Sequence, residues 1–179
     1  QINTGLQAMT FSNVKGPITV TNNTIQSRLA FYECADVVTV DGNTFTPGSD
    51  GGPDIWLYLS RGLVQNNAIP NGLLVAGAGG YARATGNQIG GDVTVGMDGL
   101  LRLEGNVLTG AMVFDNFFGA AGLVNDPVAD NTGLSPDDAS TPVDFNGNGC
   151  ADYPTHNDER DSNGNCYHEG VSVPTDPGL

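Results

Sequence analysis

The chain is predicted to be an all-β protein, a right-handed parallel β-helix of about six turns over residues 1–134, with a linker at 135–143 and an irregular acidic tail at 144–179. Three observations predict this. Five stretches superimpose: Ile18–Ile25, Val38–Phe45, Gly62–Ile69, Ala82–Ile89 and Leu101–Leu108. Each carries an Asn-Asn or Gly-Asn pair whose second residue (Asn23, Asn43, Asn67, Asn87, Asn106) follows its predecessor by 20, 24, 20 or 19 residues. A fixed period near twenty, with bends at fixed places, is the mark of a stacked solenoid. The 26 glycines and the lack of any long helical pattern agree with a bend-rich chain of strands.

Each repeat opens with a strand. Ile18 and Val20 alternate with Thr19, the period of two that gives a strand one buried face. The inward columns then run Ile18/Val38/Gly62/Ala82/Leu101, Val20/Val40/Val64/Ala84/Leu103 and Ile25/Phe45/Ile69/Ile89/Leu108. The outward column Thr19/Thr39/Leu63/Arg83/Arg102 is mostly polar. A further strand shows best after Asn87, as Asp92–Val95, with a bend at Gly96–Gly99 before Leu100–Leu103. A turn of this length is too short for a strand plus a packed helix, which needs ~30 residues. It suits short strands stacked in parallel at ~4.8 Å per turn, with a right-handed connection. The bend pairs follow from side-chain chemistry. Asn tolerates left-handed backbone, and its amide can donate and accept along a stack of its own kind. The five Asn residues are therefore read as holding the coil together.

On these recurring Gly-Asn-x-Ile/Phe/Leu turns, residues 3–131 resemble the parallel β-helix proteins of the pectin-lyase-like superfamily. That resemblance implies the fold. It does not choose among the lyases, glycoside hydrolases, tailspikes, adhesins and non-catalytic surface proteins built on it.

Charge narrows the partners. Six Lys and Arg against 20 Asp and Glu leave a net charge of −14, which argues against nucleic acid and anionic membrane. No apolar run approaches the ~18 residues of a membrane span. Acidity, Asn richness, cysteines and a chain beginning at Gln1 lead to the expectation of a processed, exported protein at an extracellular or cell-surface location. The first residues fall in mid-turn, with Asn3 standing 20 before Asn23, so end-to-end association into a homo-oligomer or filament is expected.

The tail from residue 136 holds nine acids and one base, Arg160, and too few large apolar residues for a core. Asp144, Asn146, Asn148 and Asp152 stand at the first, third, fifth and ninth positions of a loop bent at Gly149, a spacing that points alternate oxygens at one hard cation. Thr155 occupies the twelfth position, so the loop is no EF-hand. It resembles the loops of thrombospondin type 3-like and dockerin-like repeats, which implies calcium. A second, poorer copy around Asp161 and Asn163, with Asp158 nearby, is expected to share that ion or hold another. Cys150 and Cys166, 16 apart, are expected to form a disulfide worth ~3 kcal/mol, with Cys34 a buried thiol. Zinc through Cys150, His156, Cys166 and His168 fits no recognised spacing.

Two surface features remain. Arg83 and Arg102 share an outward column beside Glu104, either a basic ladder for an acidic glycan or a surface ion pair. A protruding loop, Thr46–Asp54, carries Asp50 and Asp54 and leads into Ile55–Leu59. With the aliphatics inward, Trp56 and Tyr58 face out together, suited to sugar rings or to another subunit; the opposite register puts Trp56 inside. The acids Asp36/Asp41 and Asp92/Asp98 make no repeated column of the kind a glycosidase pair requires. The reading is an exported, non-catalytic structural or adhesive β-helix with a calcium-ordered tail. The alternatives are a fragment of a polysaccharide lyase or glycoside hydrolase, or a glycan-binding module.

Overall fold

A computed structural model of the protein describes residues 8–46, 52–77, 79–96, 99–115, 122–123, 131–133, 157–160, 166–169 and 178–179. The first turn of the coil comprises β1 (Met9–Ser12), β2 (Ile18–Thr21) and β3 (Thr24–Ile25). The second repeats it as β4 (Leu29–Tyr32), β5 (Val38–Asp41) and β6 (Thr44–Phe45), the third as β7 (Ile55–Tyr58), β8 (Arg61–Gln65) and β9 (Ala68–Ile69). Then come β10 (Leu73–Ala76), β11 (Tyr81–Thr85) and β12 (Gln88–Ile89), followed by β13 (Val93–Gly96), β14 (Leu100–Glu104) and β15 (Val107–Leu108). A sixth turn is begun by β16 (Met112–Asp115), β17 (Gly122–Leu123) and a parallel bridge from Val107 to Thr132. The protein is a parallel β-solenoid of five complete turns, with no helix among the described residues.

Stacking the turns makes three parallel sheets. The first runs β1-β4-β7-β10-β13-β16, the second β2-β5-β8-β11-β14-β17, the third β3-β6-β9-β12-β15. Register follows the columns read from the sequence: Val20 pairs with Val40, Val40 with Val64, Val64 with Ala84, and Ala84 with Leu103. The first sheet adds two inward columns, Leu29/Ile55/Leu73/Val93 and Phe31/Leu57/Val75/Val95, none of them more than 2% exposed. Gly62 interrupts the apolar columns for a reason of space. A Cβ there would lie 2.7 Å from Leu57 Cδ1, so the glycine makes room for the leucine opposite.

The Asn residues form one continuous ladder. The backbone N–H of Asn43 donates to Oδ1 of Asn67 at 2.9 Å, and Asn67 and Asn87 donate in the same way to Asn87 and Asn106. Each amide Nδ2 reaches back to the carbonyl of the preceding turn: Asn67 to Val40 O at 2.9 Å, Asn87 to Val64 O at 2.8 Å, Asn106 to Ala84 O at 2.9 Å. Asn131 adds a step beyond the five repeats, accepting from Asn106 N and donating to Leu103 O. The left-handed residue at each bend is the one before the ladder Asn: Asn22 (φ 55°), Gly42 (65°), Asn66 (53°), Gly86 (66°) and Gly105 (62°). The positive φ turns the chain so that the next N–H points along the coil axis.

A second series of left-handed bends follows the first sheet, at Asn13, Glu33, Leu59 and Gly77. Each donates its N–H to the next turn, as Glu33 N does to Tyr58 O at 3.0 Å. The residue types there are unlike one another, so no repeat betrays the bend.

β18 (Asn157–Arg160) and β19 (Cys166–Glu169) pair antiparallel, with Asp158 opposite His168 and Arg160 opposite Cys166. The loop holding Asp144, Asn146, Asn148, Cys150 and Asp152, together with Asp161 and Asn163, lies outside the described residues, as does Asp50. Cys34 is buried as a thiol, as expected.

Asn67→Ala tests the ladder. It strips an acceptor from Asn43 N–H and donors from Val40 O and Asn87 Oδ1, all buried. Urea denaturation is expected to show a loss of roughly 2–4 kcal/mol. A loss under about 0.5 kcal/mol, the size of an ordinary surface change, would contradict the role assigned to it.

Candidate functional site

The outer face of the first sheet carries the most distinctive surface chemistry in the coil. Along β7, Ile55 and Leu57 are fully buried and Trp56 and Tyr58 are half-exposed, so the strand adopts the register with its aromatics outward. Pairing sets Tyr58 beside Tyr32 on β4 and Ala76 on β10, and Trp56 beside Ala30 and Leu74. The two alanines leave room into which the rings spread. Tyr32 lies 5.8 Å from Trp56 and 6.0 Å from Tyr58 between ring centroids, tilted by 49° and 50°. Both separations fall in the favourable range for tilted aromatic pairs.

Arg28 fixes the edge of this cluster. Its guanidinium carbon sits 5.3 Å from the Trp56 ring centre, a cation–π arrangement, and its Nε donates to Pro53 O at 2.8 Å. Gly52 belongs to the same arrangement, because a Cβ there would collide with the guanidinium. Trp56 Nε1 is enclosed and makes no hydrogen bond among the described residues. Tyr32 and Arg28 were not singled out in the sequence reading. Their only signal was position: Tyr32 stands in a run, Leu29–Tyr32, that aligns with Ile55–Tyr58 once the first sheet is recognised.

Asp54 lies elsewhere in function. It is 4% exposed, and its carboxylate accepts from Asn71 N at 2.7 Å and Asn71 Nδ2 at 3.0 Å. The expected surface acid is a structural clamp closing the loop against the start of β10.

On the second sheet, Arg83 and Arg102 are in register as expected, and Glu104 ties them together. Its Oε2 accepts from Arg83 Nε at 3.1 Å and Nη2 at 2.8 Å, while Oε1 accepts from Arg102 Nε at 2.7 Å and Nη2 at 2.5 Å. The Arg102 bonds, and then those from Arg83, hold the Glu104 carboxyl below the usual carboxylate range. One carboxylate between two guanidiniums holds both arginines in place. Two of the four acids weighed as catalytic pairs are also bonded into the coil, with Asp41 Oδ1 accepting from Asn66 Nδ2 at 2.9 Å and Asp92 Oδ1 from Ala111 N at 3.0 Å. Among the described residues, no three His, Cys, Asp or Glu side chains converge as metal ligands would.

Because the Glu104 pKa is lowered in the folded state, its contribution to stability is complete above the usual carboxylate range and is lost as pH falls through the depressed value. The trio is surface-exposed, so the contribution is at most about 1 kcal/mol. Urea midpoints of the wild-type protein and Glu104→Gln are expected to differ at neutral pH and to converge in acid. A difference that stays constant down to acid pH would contradict the ion-pair account.

Compared with known proteins, the chain matches no family model, no curated protein and no solved structure. The parallel coil therefore rests on its own geometry, and the site is read from its own residues.

Proposed function

We propose that the protein is an exported, non-catalytic β-helix of the pectin-lyase-like kind that serves as a structural or adhesive surface component, with a tail ordered by calcium. The observation that carries this reading is where the polar groups of the coil are engaged. Asp41, Asp54, Asp92 and Glu104 are each bonded to a neighbouring turn or loop, and the Asn amides bond to one another. Polysaccharide lyases and glycosidases need a base or a pair of carboxylates held ready for substrate. Here the polar groups stiffen the coil.

Calcium belongs to the tail. Asp144, Asn146, Asn148 and Asp152, with Asp158, Asp161 and Asn163, offer oxygen donors only, the set a hard divalent cation takes. β18 and β19 pair antiparallel, and Asp161 and Asn163 lie between them in the sequence. A Cys150–Cys166 disulfide would tie the first loop to β19. Association between copies follows the same chemistry. A coil in which each turn bonds to an identical turn is continued by any further turn, in the chain or from another copy. Calcium held by tail acids would offset the repulsion expected from a net charge of −14.

Calorimetric titration joined to light scattering tests this. Calcium is expected to bind with measurable heat, to raise the melting temperature and to increase the particle mass beyond one chain, and Asp144→Ala is expected to weaken all three. A monomer at every calcium concentration, with no heat of binding and an unchanged melt, would refute it.

A further inference from the structure

We infer that the outer face of the first sheet is a carbohydrate-binding platform for uncharged, β-linked hexose chains, with Tyr32, Trp56 and Tyr58 stacking on the sugar rings. The inference extends the adhesive side of the function proposed above and does not depend on calcium or on self-association.

The rings sit on a flat support. Their strands, β4 and β7, are interior members of a six-stranded sheet, so Tyr32, Trp56 and Tyr58 project from a rigid surface whose inner side is filled by Phe31, Leu57 and Val75. All three aromatics remain partly exposed. Their mutual tilts of 49° and 50° set neighbouring rings in different planes, as successive sugar rings of a chain require. Hexose rings in β-linkage carry their hydroxyls around the rim and present C–H groups on both faces. Such a face buries well against an aromatic ring, which supplies large area with little conformational entropy to lose.

Polar groups flank the platform where sugar hydroxyls need partners. Thr10 and Ser12 on β1 are exposed and stand in register with Ala30 and Tyr32, and Thr94 on β13 stands beside Leu74. Strands ~4.8 Å apart place the Thr10 and Ser12 hydroxyls one strand from Tyr32, and Thr94 two strands from Trp56 and Tyr58.

Charge selects among glycans. A net charge of −14, with the acid Glu33 exposed immediately after Tyr32, repels uronates and sulfated sugars. The one cation at the cluster, Arg28, lies over Trp56 and bonds to Pro53, where it shapes the ring surface. A neutral chain is the complementary ligand.

Trp56 is the only tryptophan in the chain, so its fluorescence reports this face alone. Titration with cellohexaose, chitohexaose and mannohexaose is expected to give a saturable change with at least one of them, both with calcium and with a chelator. Oligogalacturonate is expected to give none. Tyr32→Ala or Tyr58→Ala should weaken the association about tenfold, and Tyr32→Phe should leave it within about threefold, each variant first checked for an unchanged melt. Two tyrosine positions are used so that one poorly folded variant does not end the test. No response to any of the three neutral sugars would overturn the inference, as would tighter binding of oligogalacturonate. A fluorescence change that follows protein concentration alone would assign the face to a second copy and overturn it equally.

Discussion

The hydrogen-bond ladder of Asn43, Asn67, Asn87 and Asn106 is the constraint on which the rest of the coil depends. A chain that turns every twenty or so residues must bury a corner at each turn, and a corner carries backbone groups that no strand partner satisfies. Asn meets that need from within the repeat. Its Oδ1 takes the N–H of the preceding turn's Asn, and its Nδ2 takes an inward carbonyl such as Val40 O or Val64 O. These amides are 1–2% exposed, where an unmet donor or acceptor is costly. A ladder of this kind couples register to chemistry: slipping one turn by a residue would break the bonds above and below it.

Everything on the surface inherits that register. Because each turn is locked to the next, Trp56 falls beside Ala30 and Leu74, and Tyr58 beside Tyr32 and Ala76. The same locking sets Arg83 beside Arg102, close enough for Glu104 to hold both. Length differences between turns are absorbed outside the ladder. The 24-residue spacing between Asn43 and Asn67 is taken up by the loop before β7, which Asp54 clamps to Asn71 and Arg28 fastens at Pro53.

Much of this was legible in the sequence because identical residues repeat at identical places. The ladder and the inward columns Val20 to Leu103 and Ile25 to Leu108 could be aligned by eye, and they emerge in the same register. Alternation put Trp56 and Tyr58 on one face and left both registers open; the aliphatics of neighbouring turns pointed to the outward one, which the strand adopts. What escaped had no such signature. The bends at Asn13, Glu33, Leu59 and Gly77 share a backbone conformation but not a side chain, since any residue at moderate cost, and Gly at none, can take it. Both residues of each Asn-Asn or Gly-Asn pair suit a left-handed bend, and the structure gives that position to the first. Asp54 read as a loop acid because nothing local announces that Asn71 lies against it. Tyr32 was hidden by the irregular spacing of the first sheet, whose strands begin at Met9, Leu29, Ile55 and Leu73.

The central claim is that the Asn ladder, and not the apolar columns alone, holds successive turns in register. Native-state hydrogen exchange measures it directly at the backbone N–H groups of Asn43, Asn67 and Asn87. These are predicted to exchange only through global opening, with the same protection as the N–H groups of Val40 and Val64 in the neighbouring strands. Exchange through local fluctuation, with protection well below that of Val40 and Val64, would show that the corners open without the core and would contradict the account.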